Sequence, residues 1–337
     1  MRIFYGHPDL PGPQDHAEGG LVKFQALLPS WPNTRTAYDV LYVVSSRLPG
    51  EIFELYEQAR AAGTRVLLSQ AAPACAATHG ERWRALNRPL ELLVQRADFV
   101  FYQSAFGRRM CDAILGPRRG PAAILANAVD TEHFVPAAAD PATNELRVLL
   151  GGTQFRGYRL RLALEAFALV ACRRADARLW VTGRLKWLPD PVAARRQAEA
   201  WCRELGLTGR VELLGPYSQQ QAPEILRRAH LLLHTMALDC CPTVVIEAMA
   251  CGLPVVYGAG GGVPDLVGSE AGVGVPLVDD FERLQLPEPA ALARAILVAA
   301  ERRGELGVAG RRRAVERFDR RTWLARHREL FAAWEAG

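Results

Sequence analysis

Two carboxylates eight positions apart, Asp239 and Glu247, bracket the stretch of this chain best suited to chemistry, DCCPTVVIEAMACG. Pro242 stands where a first helical residue would, Gly252 just past the last, and Pro254 opens the next apolar run, which predicts a ten-residue helix punctuated at both ends. A helix start offers unpaired backbone N–H groups and partial positive charge, which suit a phosphate; the donors here would lie near Thr243 and Val244. Glu247 sits one turn further in, among apolar and small neighbours, where an unpaired carboxylate is costly. Vicinal ribose hydroxyls would pair with it two to two; a cap on its own helix or an arginine partner would satisfy it as well. Asp239, in the loop before the helix, is within reach of the hydroxyls of a sugar whose diphosphate rests on the helix start, and an Asx turn accounts for it equally. The glycines Gly258, Gly260, Gly261 and Gly262 either admit a ligand close to backbone or leave a flexible loop.

Such a site needs a frame. Short apolar runs alternate with longer segments of helical spacing, the signature of parallel sheets built from strand-helix-strand units. The first half gives strands near Ile3, at Val40–Val44, Val66–Ser69, Phe99–Gln103 and Ala123–Asn127. The second gives Arg147–Leu150, Leu179–Thr182, Val211–Leu214, Leu231–His234 and Pro254–Tyr257. The fold class expected is α/β, two Rossmann-like doubly wound domains facing a cleft, with ligands beyond the carboxyl ends of the strands. The run Pro136–Asn144, without apolar periodicity, reads as the linker. The domains are then 1–137 and 145–316, followed by a carboxy-terminal helix within 317–337 that packs back across the junction on a stripe of Trp323, Leu324, Leu330 and Trp334.

Composition narrows the function. Half of the 337 residues are apolar and about a quarter charged, which excludes a disordered or fibrous chain. No apolar run approaches the length of a membrane-spanning helix, and Arg2–Tyr5 begins a strand without a signal-peptide layout, so a cytoplasmic protein is expected. The seven cysteines form no CxxC pair, which argues for inert thiols and against a disulfide framework or a metal site. Net charge is +5, with only Lys23 and Lys186 as lysines. The arginines Arg302, Arg303, Arg311, Arg312, Arg313, Arg320 and Arg321 read as a solvated helix face; a peripheral contact with an acidic membrane at its inner face is the functional alternative, and nucleic acid is not an expected partner. The first turn, FYGHPDLPGP, lacks GxGxxG and carries prolines where a phosphate-binding helix should start, against a nicotinamide-dependent enzyme.

The segment from Asp239 through GGVPDLVG resembles the signature of family 4 retaining glycosyltransferases of the GT-B fold, an acidic residue followed after seven others by glutamate. Similar echoes are ADFVFYQSAFGRR at Ala97–Arg109, NAVDTEHFVP at Asn127–Pro136, LEAFALV at Leu164–Val170 and VELLGPYS at Val211–Ser218. They cover roughly residues 95 to 280. The resemblance implies a nucleotide diphosphate sugar as donor, a glycan, lipid-linked or small-molecule acceptor, and no cofactor. Glu247 would hold the donor ribose, Asp239 the sugar hydroxyls, and Thr243 with Val244 the distal phosphate. The turns at Gly183 and at Gly215 to Tyr217, with Pro216 between, would bracket the base. Gly19 and Gly20 would approach the donor phosphate or acceptor from the other domain.

Two departures stand out. The family usually offers two basic residues after the first strand of its second domain; here Gly151–Gln154 occupy the first place and only Arg156 fits the second, with Arg159 or Arg161 as compensating candidates. The family often has a histidine near the reacting centre on the amino-terminal side, for which Gln70, His79 and His16 are the residues to weigh. The expected activity is sugar transfer with retention and without a metal; a non-catalytic nucleotide- or glycan-binding relative, motivated by the missing basic residue, and a nucleotide-sugar epimerase on the same fold are the alternatives.

Overall fold

The computed structural model describes residues 1–12, 15, 17, 19–138 and 144–336. They form two parallel sheets. The first holds β1 (Ile3–Phe4), β2 (Val40–Val44), β3 (Arg65–Gln70), β4 (Phe99–Tyr102) and β5 (Ala122–Ile124), in the spatial order β1-β2-β3-β4-β5. Its helices are α1 (Leu21–Leu27), α2 (Ile52–Ala61), α3 (Ala76–His79), α4 (Trp83–Arg96) and α5 (Ala105–Leu115). The second holds β6 (Leu146–Leu150), β7 (Ala177–Thr182), β8 (Val211–Gly215), β9 (Leu231–His234), β10 (Val255–Gly258) and β11 (Gly272–Val275), in the order β11-β10-β9-β6-β7-β8. With it come α6 (Gly157–Arg173), α7 (Pro191–Glu204), α8 (Ala222–Arg228), α9 (Thr243–Ala250), α10 (Val263–Val267), α11 (Pro289–Glu301), α12 (Arg303–Phe318) and α13 (Arg320–Ala336).

The two sheets close their faces differently. In the second, the chain runs from β6 outward to β8, then returns to place β9 on the other side of β6. That reversal opens a crevice between the loops after β6 and β9, where an open parallel sheet binds ligands. In the first, strand order follows chain order. α2, α4 and α5 cover one face, packing Ile52, Tyr56, Leu93 and Cys111 against Leu41, Val66 and Val100. The other face is closed by α1 and by α13 from the far end of the chain, whose Trp323 and Phe331 join Tyr5, Phe24, Tyr42 and Phe101. His327 of α13 is buried there against the Tyr42 hydroxyl at 2.9 Å, and its Nδ1 lies 2.9 Å from the Trp323 carbonyl. Burial pushes its imidazole down to about 4.

Four local expectations are corrected. Pro242 is the residue before the helix, with φ −67° and ψ 116°, and the last helical residue is Ala250, so α9 has eight residues and falls one short of the prediction at each end; Cys251 caps it and Gly252, with φ of +77°, makes the turn that follows. β11 was missed because its sequence, GVGV, lacks an apolar run; Gly272 is required since a Cβ there would lie 2.1 Å from the Val255 carbonyl oxygen. α13 begins at Arg320, inside the predicted 317–337, and the predicted stripe is only partly its buried face: Trp323, His327 and Phe331 are buried, with Leu324, Leu330 and Trp334 partly covered. Of the tail arginines, Arg302 and Arg312 stay exposed in surface ion pairs, while four others act as anchors. Arg311 donates to the carbonyls of Phe134, Ala250 and Thr131, Arg313 to those of Leu266 and Asp265, and Arg320 and Arg321 pair with Asp130, Glu132 and Asp319. The predicted linker falls largely outside the described residues. No helix among the described residues is long and apolar enough to cross a membrane.

Phe331→Ala removes a side chain 3% exposed at the contact between α13 and the first sheet. The expected cost is about 3–5 kcal/mol, read as a lower urea midpoint with the first-domain aromatic signal leading the loss; an unchanged midpoint would mean that α13 does not stabilise that sheet.

Candidate active site

The loops after β6 and β9, the start of α9 and the facing loops of the first domain enclose a cleft of about 790 Å³. Of the predicted site residues, Asp239, Glu247, Arg156, Gly183, Tyr217, Thr243, Val244, Gly19 and Gly20 line it. Pro216 does not; it is exposed beside the cleft while Tyr217 turns inward. Of the three candidates for the first-domain residue, His79 lines the cleft, half-buried with its Nδ1 2.8 Å from the Thr78 hydroxyl. Gln70 is fully buried and donates to the Ala71 carbonyl instead. His16 lies outside the described residues.

Glu247 is 3% exposed. Among the described residues its one hydrogen-bond partner is Gln219, whose Nε2 donates to Oε1 at 2.9 Å. It neither caps its own helix nor meets an arginine. Burial therefore dominates and pushes its carboxyl up to about 7. Asp239, partly exposed, accepts from the Cys241 N–H at 3.3 Å in an Asx-type turn, and its other oxygen lies 3.6 Å from Nε2 of His234. Burial raises its carboxyl too, with Arg159 and the Cys241 N–H acting the other way.

The glycine run supports this loop from behind. Gly262 donates to the Asp239 carbonyl at 2.8 Å, and a Cβ on Gly262 would lie 2.0 Å from the Cys240 carbonyl oxygen. At Gly261 and Gly262 the requirement for glycine is thus backbone against backbone, whereas Gly258 and Gly260 face the side chains of Pro287, Asp279 and Leu277. From the front the first domain holds the same loop: Ala72 N–H donates to the Cys240 sulfur, and Asn127 donates from its N–H to the Cys241 sulfur and from Nδ2 to the Cys241 carbonyl and the Thr243 hydroxyl. Gly183 serves a similar close approach, since a Cβ there would meet the Gly152 carbonyl carbon at 2.4 Å.

The two compensating arginines named from the sequence take different places. Arg161 leaves the cleft, bridging Glu165 and Glu204. Arg159 enters it: 4% exposed, its guanidinium donates to the carbonyls of Thr153 and Gly151 and faces Asp239 electrostatically. It thus puts a positive charge against the Gly151–Thr153 backbone, while the space a side chain at Gly151 would need is taken by Val244 and Leu232. Arg156 stands at the N-terminal boundary of α6, on the cleft wall.

Two residues not singled out from sequence also belong here. His234, at the end of β9, is buried with neither ring nitrogen hydrogen-bonded; burial pushes it down to about 3, so it is neutral. Lys23 of α1 lies on the first-domain wall. No group of three or more histidine, cysteine or acidic residues able to hold a metal occurs among the described residues, and the cysteines there are unpaired.

Residues 147–301 match the family model described as Glycosyl transferases group 1. The gpi3 subunit of phosphatidylinositol N-acetylglucosaminyltransferase from Schizosaccharomyces pombe is 25% identical over 157 residues, covering 47% of this chain and 32% of that protein. D-inositol 3-phosphate glycosyltransferase from Mycolicibacterium smegmatis is 38% identical over 101 residues, 27% of this chain and 23% of that protein. The chain spans about a third or less of the length of these curated relatives. Among solved structures, Anabaena HepE in complex with UDP superposes with a TM-score of 0.74 at 18% identity, covering 99% of this chain and 100% of that one. The fold is therefore GT-B-like.

Glu247 holds its proton to about pH 7 in the folded chain, against about 4.3 when unfolded, so folding stability is undiminished below pH 4.3 and falls as pH rises through 7. Glu247→Gln escapes that loss. The difference in urea stability between variant and native chain should therefore grow by on the order of 3 kcal/mol from pH 4.5 to pH 8, without ligand. A pH-independent difference would show that Glu247 is not desolvated.

Proposed function

We propose that this chain, in which residues 147–301 are a group 1 glycosyltransferase domain, moves a hexose-like sugar from a nucleotide diphosphate donor to a glycan, lipid-linked or small-molecule acceptor, with retention and without a metal. The observation that carries the reading is Glu247, a carboxylate buried in the cleft with a single amide partner. Two vicinal ribose hydroxyls would give it the charge-assisted hydrogen bonds it lacks and would favour its ionised form.

From that anchor the other roles follow in order along the donor. The base lies between the turns at Gly183 and Tyr217. The diphosphate rests on the start of α9, at Thr243 and Val244, with Arg156 and the buried Arg159 supplying positive charge. Asp239 takes hydroxyls of the sugar. His79 and the Gly19–Gly20 turn face the reacting end from the first domain.

In the transfer, the bond from the anomeric carbon to the leaving phosphate oxygen breaks as the acceptor oxygen bonds to that carbon on the same face. The acceptor proton passes to the departing phosphate oxygen. The chain's own groups position the partners and balance charge; no protein nucleophile is required. The closed domain contact through Asn127, Cys240 and Cys241 supports exclusion of water from the cleft. UDP is the first donor nucleotide to test, since Anabaena HepE, which shares the fold, has been captured with UDP and with UDP-glucose.

Slow hydrolysis offers a test that needs no acceptor. With UDP-glucose and EDTA, proton NMR should show α-glucose appearing before mutarotation, and Asp239→Asn should slow its release by about 100-fold or more. β-Glucose as the first product, or strict dependence on a divalent cation, would overturn retention or metal independence respectively.

A further inference from the structure

Lys23 is one of only two lysines in a chain with 41 basic residues. α1 brings it to the cleft from a start packed closely against the end of β2. A Cβ on Gly20 would lie 2.7 Å from both the Ser46 hydroxyl and a Val44 methyl, so a larger residue there would have to displace those side chains. Gly19, with φ of +54°, makes the turn before it. One turn on, Lys23 is 8% exposed, and its Nζ donates to the Ser69 hydroxyl at 2.7 Å. Ser69 is its only hydrogen-bond acceptor among the described residues, and it has no ion pair there.

A buried ammonium has three protons to place and a large desolvation cost to offset. One hydroxyl does not meet that need. Burial lowers Lys23 to about 8, so it keeps its charge at neutral pH. The thiols of Cys240 and Cys241, just ahead of Pro242 and the start of α9, are among the groups that interact with it electrostatically. There the Thr243 hydroxyl accepts from Asn127 Nδ2, which leaves its own proton free to donate. Asn127, Thr243, Glu247 and Lys23 line both the main cleft and a second cavity of about 370 Å³ beside it. A cation from one domain and a donor-rich helix start from the other thus converge on the same space.

We infer that Lys23 binds a phosphate group of the substrate, so that one anion is held by both domains at once. The inference rests on the cleft being the transferase site and adds to it a first-domain cation, beyond the arginines of the second domain. The phosphate can belong to the donor diphosphate or to a phosphorylated acceptor; Lys23 would suit either.

The two lysines make the test direct. In Lys186→Arg protein labelled with ¹³C-lysine, Lys23 gives the only lysine side-chain signal. It should shift on addition of UDP and stay unmoved with uridine. Calorimetry provides the second arm: Lys23→Met, which keeps the side chain's bulk, should lose at least tenfold in UDP affinity with uridine affinity unchanged, and Lys23→Arg should keep most of it. If UDP affects neither signal nor affinity but glycerol 3-phosphate added to UDP-saturated protein does both, the phosphate is the acceptor's. If neither phosphate compound moves the signal and Lys23→Met binds both as the native chain does, the inference is overturned. Failure of UDP and uridine alike to bind the native chain would sink the UDP donor, while titration with inorganic phosphate would still decide the role of Lys23.

Discussion

The loop from Asp239 to Thr243 is held between two surfaces that leave it no freedom. Behind it, the backbone at Gly261 and Gly262 approaches so closely that a single added carbon would strike the Asp239 and Cys240 backbone. In front, Asn127 and Ala72 of the first domain take up its sulfur and carbonyl acceptors. Everything functional depends on this clamp, because it aims the start of α9 and fixes the distance between Asp239 and Glu247. It also explains the adjacent cysteines as buried acceptors at a domain contact, where burial pushes both thiols up and keeps them protonated.

Around that fixed loop the cleft carries charges of both signs that the chain leaves under-partnered. Glu247 has one amide, Lys23 one hydroxyl, and His234 no hydrogen bond. Buried polar groups in a stable fold are ordinarily satisfied, so a concentration of under-satisfied ones in a single cavity marks the place where a polar ligand completes the set. Arg159 is better held, since two carbonyl contacts fix its guanidinium at the Gly151–Thr153 turn, yet its buried Nε also has no hydrogen-bond partner. A donor with hydroxyls at one end and a diphosphate in the middle matches the order in which these groups occur along the cleft.

Much of this was legible in the sequence because it is written in spacing. The eight-residue separation of Asp239 and Glu247, the proline before α9 and the glycine after it all report local backbone geometry, and the strands with dense valine and leucine were found within a residue or two. What escaped depends on contacts between distant segments. β11 pairs through glycines, whose reason is the neighbouring strand's carbonyl. Lys23 and His234 look unremarkable until α1 and the end of β9 are brought to one cavity. Arg159 could be suspected, but only the backward reach of its side chain over Gly151 separates it from Arg161, two positions on and facing Glu204. Gln70 and Pro216 show the same limit, each standing outside the cleft lining one residue away from a neighbour that faces it.

The most direct measurement is the coupling between Glu247 and the ribose. Titrating the native chain and Glu247→Gln with UDP and with its 2′,3′-dideoxy analogue, metal-free, completes a double-mutant cycle. Loss of the hydroxyls should weaken binding to the native chain by at least tenfold and change binding to the variant little. Equal losses in both proteins, or no UDP binding by the folded native chain, would contradict the assignment of Glu247 to the ribose of a uridine nucleotide.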